Sequence, residues 1–373
     1  MASVIDDNHF MRLALALARN SRPSPNPRVG AVIVQQNRIV GKGFHRAAGQ
    51  PHAEIEALQD AANAAESVRN ATIYVTLEPC CHHGRTGPCS VALHEAGIGR
   101  IVVGMADPDP LVAGTGISSL RDAGHQVDVG ILEYECKQML HAYIHHRIHG
   151  RPLIHLKAAA TLDGYIATAT GNSKWITGSR ARAYGHELRA AHDAILVGSG
   201  TVLVDNPTLT VRDAEGATPV RVILDSHLKL PMESNLLKTT SEGKVIILHS
   251  ADTPAAKASE LTRLSNVQLI GCRQADSLLD ITDIVHKLNS LGFLSVLVEG
   301  GSQVHGAFIQ ARLADRLSLF IAPKIIGSGI PWASIPGIAN IKDAITLNPD
   351  SIRTTQLEQD ALIEGDFFWD ENV

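Results

Sequence analysis

No apolar stretch in this sequence approaches the ~18 consecutive residues that a membrane-spanning helix needs, so nothing in it reads as an anchor in a bilayer. A basic-then-apolar leader is missing too: Met1 to Phe10 carries Asp6 and Asp7 instead. There is no excess of positive charge. Against 38 Asp and Glu stand 33 Lys and Arg, a formal charge of -5. Neither half hides a basic surface. Residues 1–150 hold 13 basic and 14 acidic side chains, net -1, and residues 151–373 hold 20 and 24, net -4. A general nucleic-acid binder needs a positive footprint that this chain lacks. Internal repeats and low-complexity tracts are absent as well. What is there is 45% hydrophobic and 19% charged, which excludes a disordered or collagen-like chain. The expectation is a cytoplasmic enzyme acting on small molecules, with neither membrane nor nucleic acid as partner. At roughly 150 residues per domain, its 373 residues predict two or three domains.

The first 150 residues alternate between strand and helix patterns. Apolar spacing predicts helices over His9–Ala18, Ala53–Ala65, Ser90–Ala96, Ile117–Ala123 and Glu133–His149. Strands are expected at Val29–Val34, Arg38–Phe44, Thr72–Leu77, Arg100–Gly104 and Gln126–Gly130. Such alternation indicates an α/β sheet layered by helices. Gly150 and Pro152 then end the long helix and mark a boundary, giving domains 1–150 and 151–373. Beyond it, strands are predicted at 154–160, 192–197, 220–224, 244–248, 267–270, 294–298 and 317–321, and helices at 179–191, 255–264, 278–291 and 303–310. Residues 326–345 read as a loop.

Cysteine is sparse but clustered: of five, Cys80, Cys81 and Cys89 fall within ten residues, while Cys136 and Cys272 stand alone as small buried hydrophobes. Eleven of the 18 histidines lie in the first 150 residues. In a cytosolic chain this pattern reads as metal chemistry before disulfides. His52-Ala53-Glu54 opens a helix, and Pro79-Cys80 ends a strand, with Cys89 beyond a loop. One imidazole and two thiolates, from His52, Cys80 and Cys89, supply three ligands to a zinc ion and leave a fourth position for water. Such a water ionises near neutral pH and becomes a nucleophile. Glu54, two residues from His52, is placed to shuttle protons to a departing ring nitrogen. His-x-Glu followed by Pro-Cys is the order seen in zinc deaminases, although their usual C-x-x-C is here a Cys80–Cys89 pair with eight residues between. The competing reading is a closed structural zinc site, with Cys81, His82 or His83 as fourth ligand and Glu54 as a residue favoured at a helix start.

The second half speaks less clearly. Gly198-Ser199-Gly200-Thr201 and Glu299-Gly300-Gly301-Ser302 each follow a strand, and the second precedes a helix. Small residues there let phosphates approach backbone N–H groups and the positive helix end. No G-x-G-x-x-G is present, so a nucleotide site and plain tight turns remain equally open on this basis.

The stretch Glu78-Pro79-Cys80-Cys81-His82-His83-Gly84-Arg85-Thr86-Gly87-Pro88-Cys89 resembles the zinc loop of the bifunctional deaminase/reductase family of riboflavin biosynthesis. Asn26-Pro27-Arg28-Val29-Gly30, Asp107-Pro108-Asp109-Pro110, Lys157-Ala158-Ala159-Ala160-Thr161-Leu162-Asp163-Gly164 and Asp205-Asn206-Pro207-Thr208-Leu209-Thr210 are similar to that family's motifs, in its order, from about Asn8 to Gly329. The chain departs from the pattern at Cys81, usually Ser, and Gly87, usually Pro. The resemblance implies a cytidine-deaminase-like α/β/α domain followed by a dihydrofolate-reductase-like α/β domain. It implies zinc-dependent deamination of 2,5-diamino-6-(5-phosphoribosylamino)pyrimidin-4(3H)-one, then reduction of the ribosyl arm to ribityl by NADPH. By position, Asn26, His45 and Arg85 would meet the first substrate. Lys157, Ser173, Arg189, Leu209, Arg212 and Glu299 would meet the second, the two arginines suiting its phosphate. Ala159, Trp175, Thr201, Asp205, Ser226, Gly301, Ser302 and Gly306 would meet the cofactor. Lys157 and Asp205 are the candidates for a catalytic acid. A homo-oligomer is expected. Two rivals remain: a zinc deaminase for another base, nucleoside or tRNA, and a non-catalytic zinc module joined to a nucleotide sensor.

Overall fold

The computed structural model of the protein describes residues 6–81, 87–109, 112–253, 255–275 and 277–369. Two compact units divide it, Met1–Arg151 and Pro152–Val373. None of the described helices is long and apolar enough to cross a membrane.

The first unit holds strands β1 (Gly30–Gln35), β2 (Arg38–Phe44), β3 (Thr72–Val75), β4 (Arg100–Val103) and β5 (Gln126–Val129), and helices α1 (Asp7–Ala18), α2 (Ala53–Asn63), α3 (Cys89–Glu95), α4 (Thr115–Asp122), α5 (Glu133–Met139) and α6 (His141–His149). Its sheet order is β2-β1-β3-β4-β5. β1 runs antiparallel to β2 and β3, and β3, β4 and β5 are parallel. The inner strands are continuous apolar runs, as strands covered on both faces must be. Gly-Ala-Val-Ile-Val of β1 is buried throughout.

The position of α2 matters most, because it begins at the first candidate ligand. Its inner face is Ala53, Ala57 and Ala61, and it lies over two glycines of β2. A Cβ on Gly41 would stand 2.3 Å from the Ala57 carbonyl oxygen, and one on Gly43 would stand 2.5 Å from that of Ala53 and from the Ala57 nitrogen. Alanine against glycine brings helix and sheet backbones together. The single helix expected over Glu133–His149 is two, broken at Leu140. The break serves two anchors: Cys136 packs against Gly104, and the Tyr143 hydroxyl reaches Asp107.

The second unit is built on a ten-stranded sheet. In chain order its elements are β6 (Leu153–Thr161), β7 (Tyr165–Thr168), α7 (Ser179–Ala191), β8 (Ala194–Gly198), α8 (Ser199–Asp205), β9 (Val220–Leu224), α9 (Asn235–Lys238), β10 (Val245–Ser250), α10 (Ala255–Thr262), β11 (Val267–Cys272), β12 (Gln274–Ala275), β13 (Leu278–Leu279), α11 (Ile281–Ser290), β14 (Ser295–Gly300), α12 (Ser302–Gln310), β15 (Arg316–Ala322), β16 (Gly329–Pro331), β17 (Thr346–Leu347), β18 (Arg353–Leu357) and β19 (Asp360–Phe368). The order β11-β10-β9-β8-β14-β6-β15 is parallel throughout, and β19 closes against β15 antiparallel with β17 and β18 beside it. Aliphatic side chains of β8, β9 and β10 form cores on both faces, and those of β6 and β14 join one of them. The hairpin β18–β19 was not expected from sequence. β18 exposes four of its five residues, and Glu364, Gly365 and Asp366 interrupt the apolar alternation of β19. This hairpin also carries Asp360, fully buried, whose carboxylate accepts the Gly178 backbone N–H at 2.7 Å, just ahead of α7.

Gly43→Ala should tilt the start of α2 away from the sheet. We expect a loss of about 1–3 kcal/mol in thermal or denaturant unfolding, with deaminase activity falling further than reductase activity in the same preparation.

Candidate active sites

His52 caps α2 with extended backbone, and Glu54 lies in the first turn. Cys80 follows the strand end through Thr76, Leu77, Glu78 and Pro79, and Cys89 opens α3. The His52 imidazole and both thiols thereby offer ligand atoms within 4.8 Å of one another. His52 Nδ1 is 3.3 Å from Cys89 Sγ and 3.5 Å from Cys80 Sγ. The sulfurs compete for one proton: the Cys89 thiol beside it holds Cys80 well below the usual thiol range, and the same contact pushes Cys89 up. A divalent cation bound by two thiolates removes that conflict, so the donor set fits zinc. Glu54 is buried, and burial, followed by the nearby Cys80, raises its pKa to about 7.

His52, Glu54 and Cys80 line a cavity of about 500 Å³ together with Asn26 and His45, and Cys89 is buried behind it. The Pro51 carbonyl lies 3.0 Å from His45 Nδ1, which places the ring proton there. His45 Nε2 is then an acceptor, and the Asn26 amide nitrogen donates to it at 3.0 Å. Burial pushes the His45 imidazole below its ordinary pKa and keeps it neutral, as this arrangement requires. The carbonyl end of Asn26 is left for a ligand. Cys81 Sγ is 3.0 Å from the Thr115 hydroxyl, and Cys81 is not part of the ligand cluster. His82, His83 and Arg85 lie outside the described residues.

Sequence reasoning missed the opposite wall. Glu78 is buried and its two carboxylate oxygens accept four backbone N–H groups, from Asp107, Gly114, Gly116 and Ile117, at 2.8–3.1 Å. That network fixes the segment carrying Asp107 and Asp109 to the strand end that leads to Cys80. With Tyr143 and Arg147 these residues complete the lining. A carboxylate directly before Pro-Cys, and the Asp-Pro-Asp-Pro run, were the available signals, but no spacing rule says which backbone such a carboxylate will bind.

The second unit encloses a cavity of about 490 Å³. Lys157, Ala159, Ser173, Trp175, Arg189, Thr201, Asp205, Leu209, Arg212 and Glu299 all line it. Arg189 grips Glu299 with two hydrogen bonds of 2.6 and 2.8 Å and donates a third, at 3.1 Å, to the Thr210 carbonyl. Burial works against the Glu299 charge, but Arg189 and then Lys157 outweigh it and hold its pKa at about 2. Burial also lowers Lys157, opposed by Glu299. Ser173 donates to the Asp205 carboxylate at 3.2 Å. Trp175 is 64% exposed with the Arg182 guanidinium 4.7 Å over its ring. Because its planar fork is committed to Glu299, Arg189 offers little to a phosphate, and Arg182 and Lys174, neither singled out from sequence, join Arg212 as cations on the wall.

Ser226, Gly301, Ser302 and Gly306 do not line this cavity. The Ser226 carbonyl accepts from the Ser250 N–H. Gly306 lies beneath the Ser334 carbonyl, where a Cβ would come within 1.9 Å, so close packing accounts for it. Gly301 faces Thr201, a Cβ there being 3.4 Å from the Thr201 hydroxyl, and Gly198 approaches Val304. The small-residue turns after the adjacent parallel strands β8 and β14 therefore meet at the carboxyl ends of the sheet, where ligands of α/β sheets bind. At that junction the buried Ser302 hydroxyl has no hydrogen-bond partner. An unsatisfied hydroxyl and open glycine turns fit a phosphate-bearing cofactor.

Comparison with known proteins bears on both units. The family profile for the cytidine and deoxycytidylate deaminase zinc-binding region matches residues 4–105, and that for the RibD C-terminal domain matches residues 152–360. Riboflavin biosynthesis protein RibD of Aquifex aeolicus is 40% identical over 349 residues, covering 93% of this chain and 95% of that protein. The Escherichia coli protein of the same name is 38% identical over 358 residues, covering 91% and 94%. A crystal structure of a diaminohydroxyphosphoribosylaminopyrimidine deaminase/5-amino-6-(5-phosphoribosylamino)uracil reductase from Thermotoga maritima superposes with a TM-score of 0.82 at 36% identity, covering 97% of this chain and 99% of that one. Acinetobacter baumannii RibD gives 0.81 at 33% identity, with the same coverage. A cytidine-deaminase-like zinc-binding domain joined to a dihydrofolate-reductase-like domain, with relatives of this identity along nearly the whole chain, places the protein in the RibD family of bifunctional deaminase/reductases of riboflavin biosynthesis.

Proposed function

We propose that residues 1–150 deaminate 2,5-diamino-6-(5-phosphoribosylamino)pyrimidin-4(3H)-one and that residues 151–373 reduce the ribosyl arm of the resulting aminouracil with NADPH. The observation that carries the first step is the juxtaposition of Glu54, His52 and Cys80 in one cavity, with Cys89 completing the ligand cluster. The zinc ion, when bound by those three residues, makes water acidic enough to act as a nucleophile near neutral pH. Glu54 takes the proton and delivers it to the departing amine, a task suited to a buried carboxyl that titrates near neutrality. Asn26, held in one orientation by His45, reads a donor on the pyrimidine edge.

In the second cavity NADPH supplies a hydride, and the protein's contribution is placement. Thr201, Asp205, Trp175 and Ala159 border the cofactor, with Ser302 donating from the junction of the two turns. Arg189 pins Glu299 in its charged form, and Glu299 in turn orients Lys157. The Lys157 ammonium, its proton loosened by burial, is the acid that assists opening of the sugar ring. Ser173, Leu209 and Arg212 hold the remainder of the substrate. The chain is also proposed to act as a homo-oligomer: seven isoleucines between 325 and 352 are exposed, Ile341 to 92%, and a concentration of apolar surface like this marks an interface. Five cysteines, all free, suit a reducing cytoplasm.

Ammonia release and NADPH absorbance, followed together on the diaminopyrimidine phosphate, test the pair of reactions; absence of either removes the corresponding half. Glu54→Gln should cut ammonia release by more than ~100-fold while zinc content and reduction of pre-deaminated substrate persist. Metal analysis of Cys89→Ser should show zinc lost, whereas Cys81→Ser, altering a thiol turned toward Thr115, should keep zinc and activity. Lys157→Gln should slow NADPH consumption by roughly 100-fold and leave ammonia release as it was.

A further inference from the structure

The lining of the first cavity presents a charge problem. Glu54, Glu78, Asp107 and Asp109 contribute four carboxyl groups to it, and Arg147 is the one guanidinium among the described lining residues. Glu78 is spoken for by its four backbone donors, and Asp107 accepts from Tyr143 and from the Asp109 N–H. A phosphate dianion entering this cavity meets negative charge on most sides, and its arm is drawn to the place where a cation waits.

Arg147 is built for that role. It stands one helical turn beyond Tyr143 on α6, with its guanidinium carbon 5.1 Å from the centre of the Tyr143 ring. The ring's own hydroxyl is tied to Asp107, and Asp107 is tied through its backbone to Glu78. The chain from the strand end at Glu78 to the Arg147 side chain is therefore continuous and buried for most of its length. Against Asp109 the guanidinium makes a single contact of 3.5 Å, too long and too sparse to occupy a planar fork with five N–H donors. The side chain itself lines the cavity.

We propose that Arg147 selects for the phosphate of the deaminase substrate, binding it through charge-assisted hydrogen bonds while the Tyr143 ring beneath the guanidinium holds the fork in place. The inference rests on the phosphoribosylamino substrate proposed above. It assigns to α6 a specificity-determining residue that no motif in the sequence marks.

The test compares the full-length protein with Arg147→Gln and Arg147→Lys on the phosphorylated substrate and on its phosphatase-treated counterpart. For Arg147→Gln we expect KM for the phosphorylated compound to rise roughly ten- to a hundred-fold, the range set by one charge-assisted contact, with kcat, zinc content and melting temperature unchanged. KM for the dephosphorylated compound should not move, and Arg147→Lys should recover part of the loss. Equal changes for both compounds, or none for either, overturn the assignment; in the second case Arg85 is left as the phosphate ligand. Binding of ribose 5-phosphate, measured by calorimetry without turnover, keeps the two proposals apart. If the wild-type protein fails to deaminate the substrate yet Arg147→Gln still reduces the ribose 5-phosphate stoichiometry by one, the substrate reading fails and the anion site stands. An unchanged stoichiometry removes the site itself.

Discussion

Two sulfur atoms and an imidazole nitrogen gathered within 4.8 Å, largely out of water, are poor company without a cation among them. Much of the N-terminal unit can be read as the means of forcing that gathering. Glycines in β2 let α2 approach until its first residue reaches the ends of the sheet. Glu78 bolts the far loop to the strand that delivers Cys80. The same close packing buries Glu54, and that burial raises its pKa to about 7.

The C-terminal unit solves a related problem with opposite charges. An ammonium and a carboxylate, Lys157 in the middle of β6 and Glu299 near the carboxyl end of the adjacent β14, are withdrawn from water. A lone buried pair of this kind is costly, and Arg189 meets the cost by closing a bidentate clamp on the carboxylate. Without that third member, burial would favour a neutral Glu299 and a neutral Lys157. The arginine is thus best understood as the guarantor of its neighbours' charges.

How much of this was legible beforehand varied with the kind of interaction involved. Parallel-sheet strands announced themselves because a strand covered on both faces is a bare apolar run, as in Ala194–Gly198 or Val245–Ser250. Short-range chemistry was readable too: His52 caps α2 in extended backbone and Glu54 lies in its first turn, so both enter the site at one helix start. Long-range backbone capture was not readable. Nothing near Glu78 says that its partners lie some 29 to 39 positions away, and nothing near Arg189 says that its fork belongs to Glu299 and not to a ligand. Nor did sequence show that Gly306, beside a candidate cofactor turn, lies tight against the Ser334 carbonyl. The β18–β19 hairpin escaped notice because partial exposure lets polar residues and glycine break the alternation by which strands are recognised.

That hairpin has a consequence for how the molecule matures. Its Asp360 carboxylate anchors the entrance to α7, the helix bearing Arg189, so a residue 171 positions downstream steadies the clamp on Glu299. On the ribosome, the Glu299 clamp would lack its anchor until that last long strand has left the exit tunnel and paired with β15. The two activities would then be born in sequence, with the hydrolytic half able to assemble while its reducing companion is still being made.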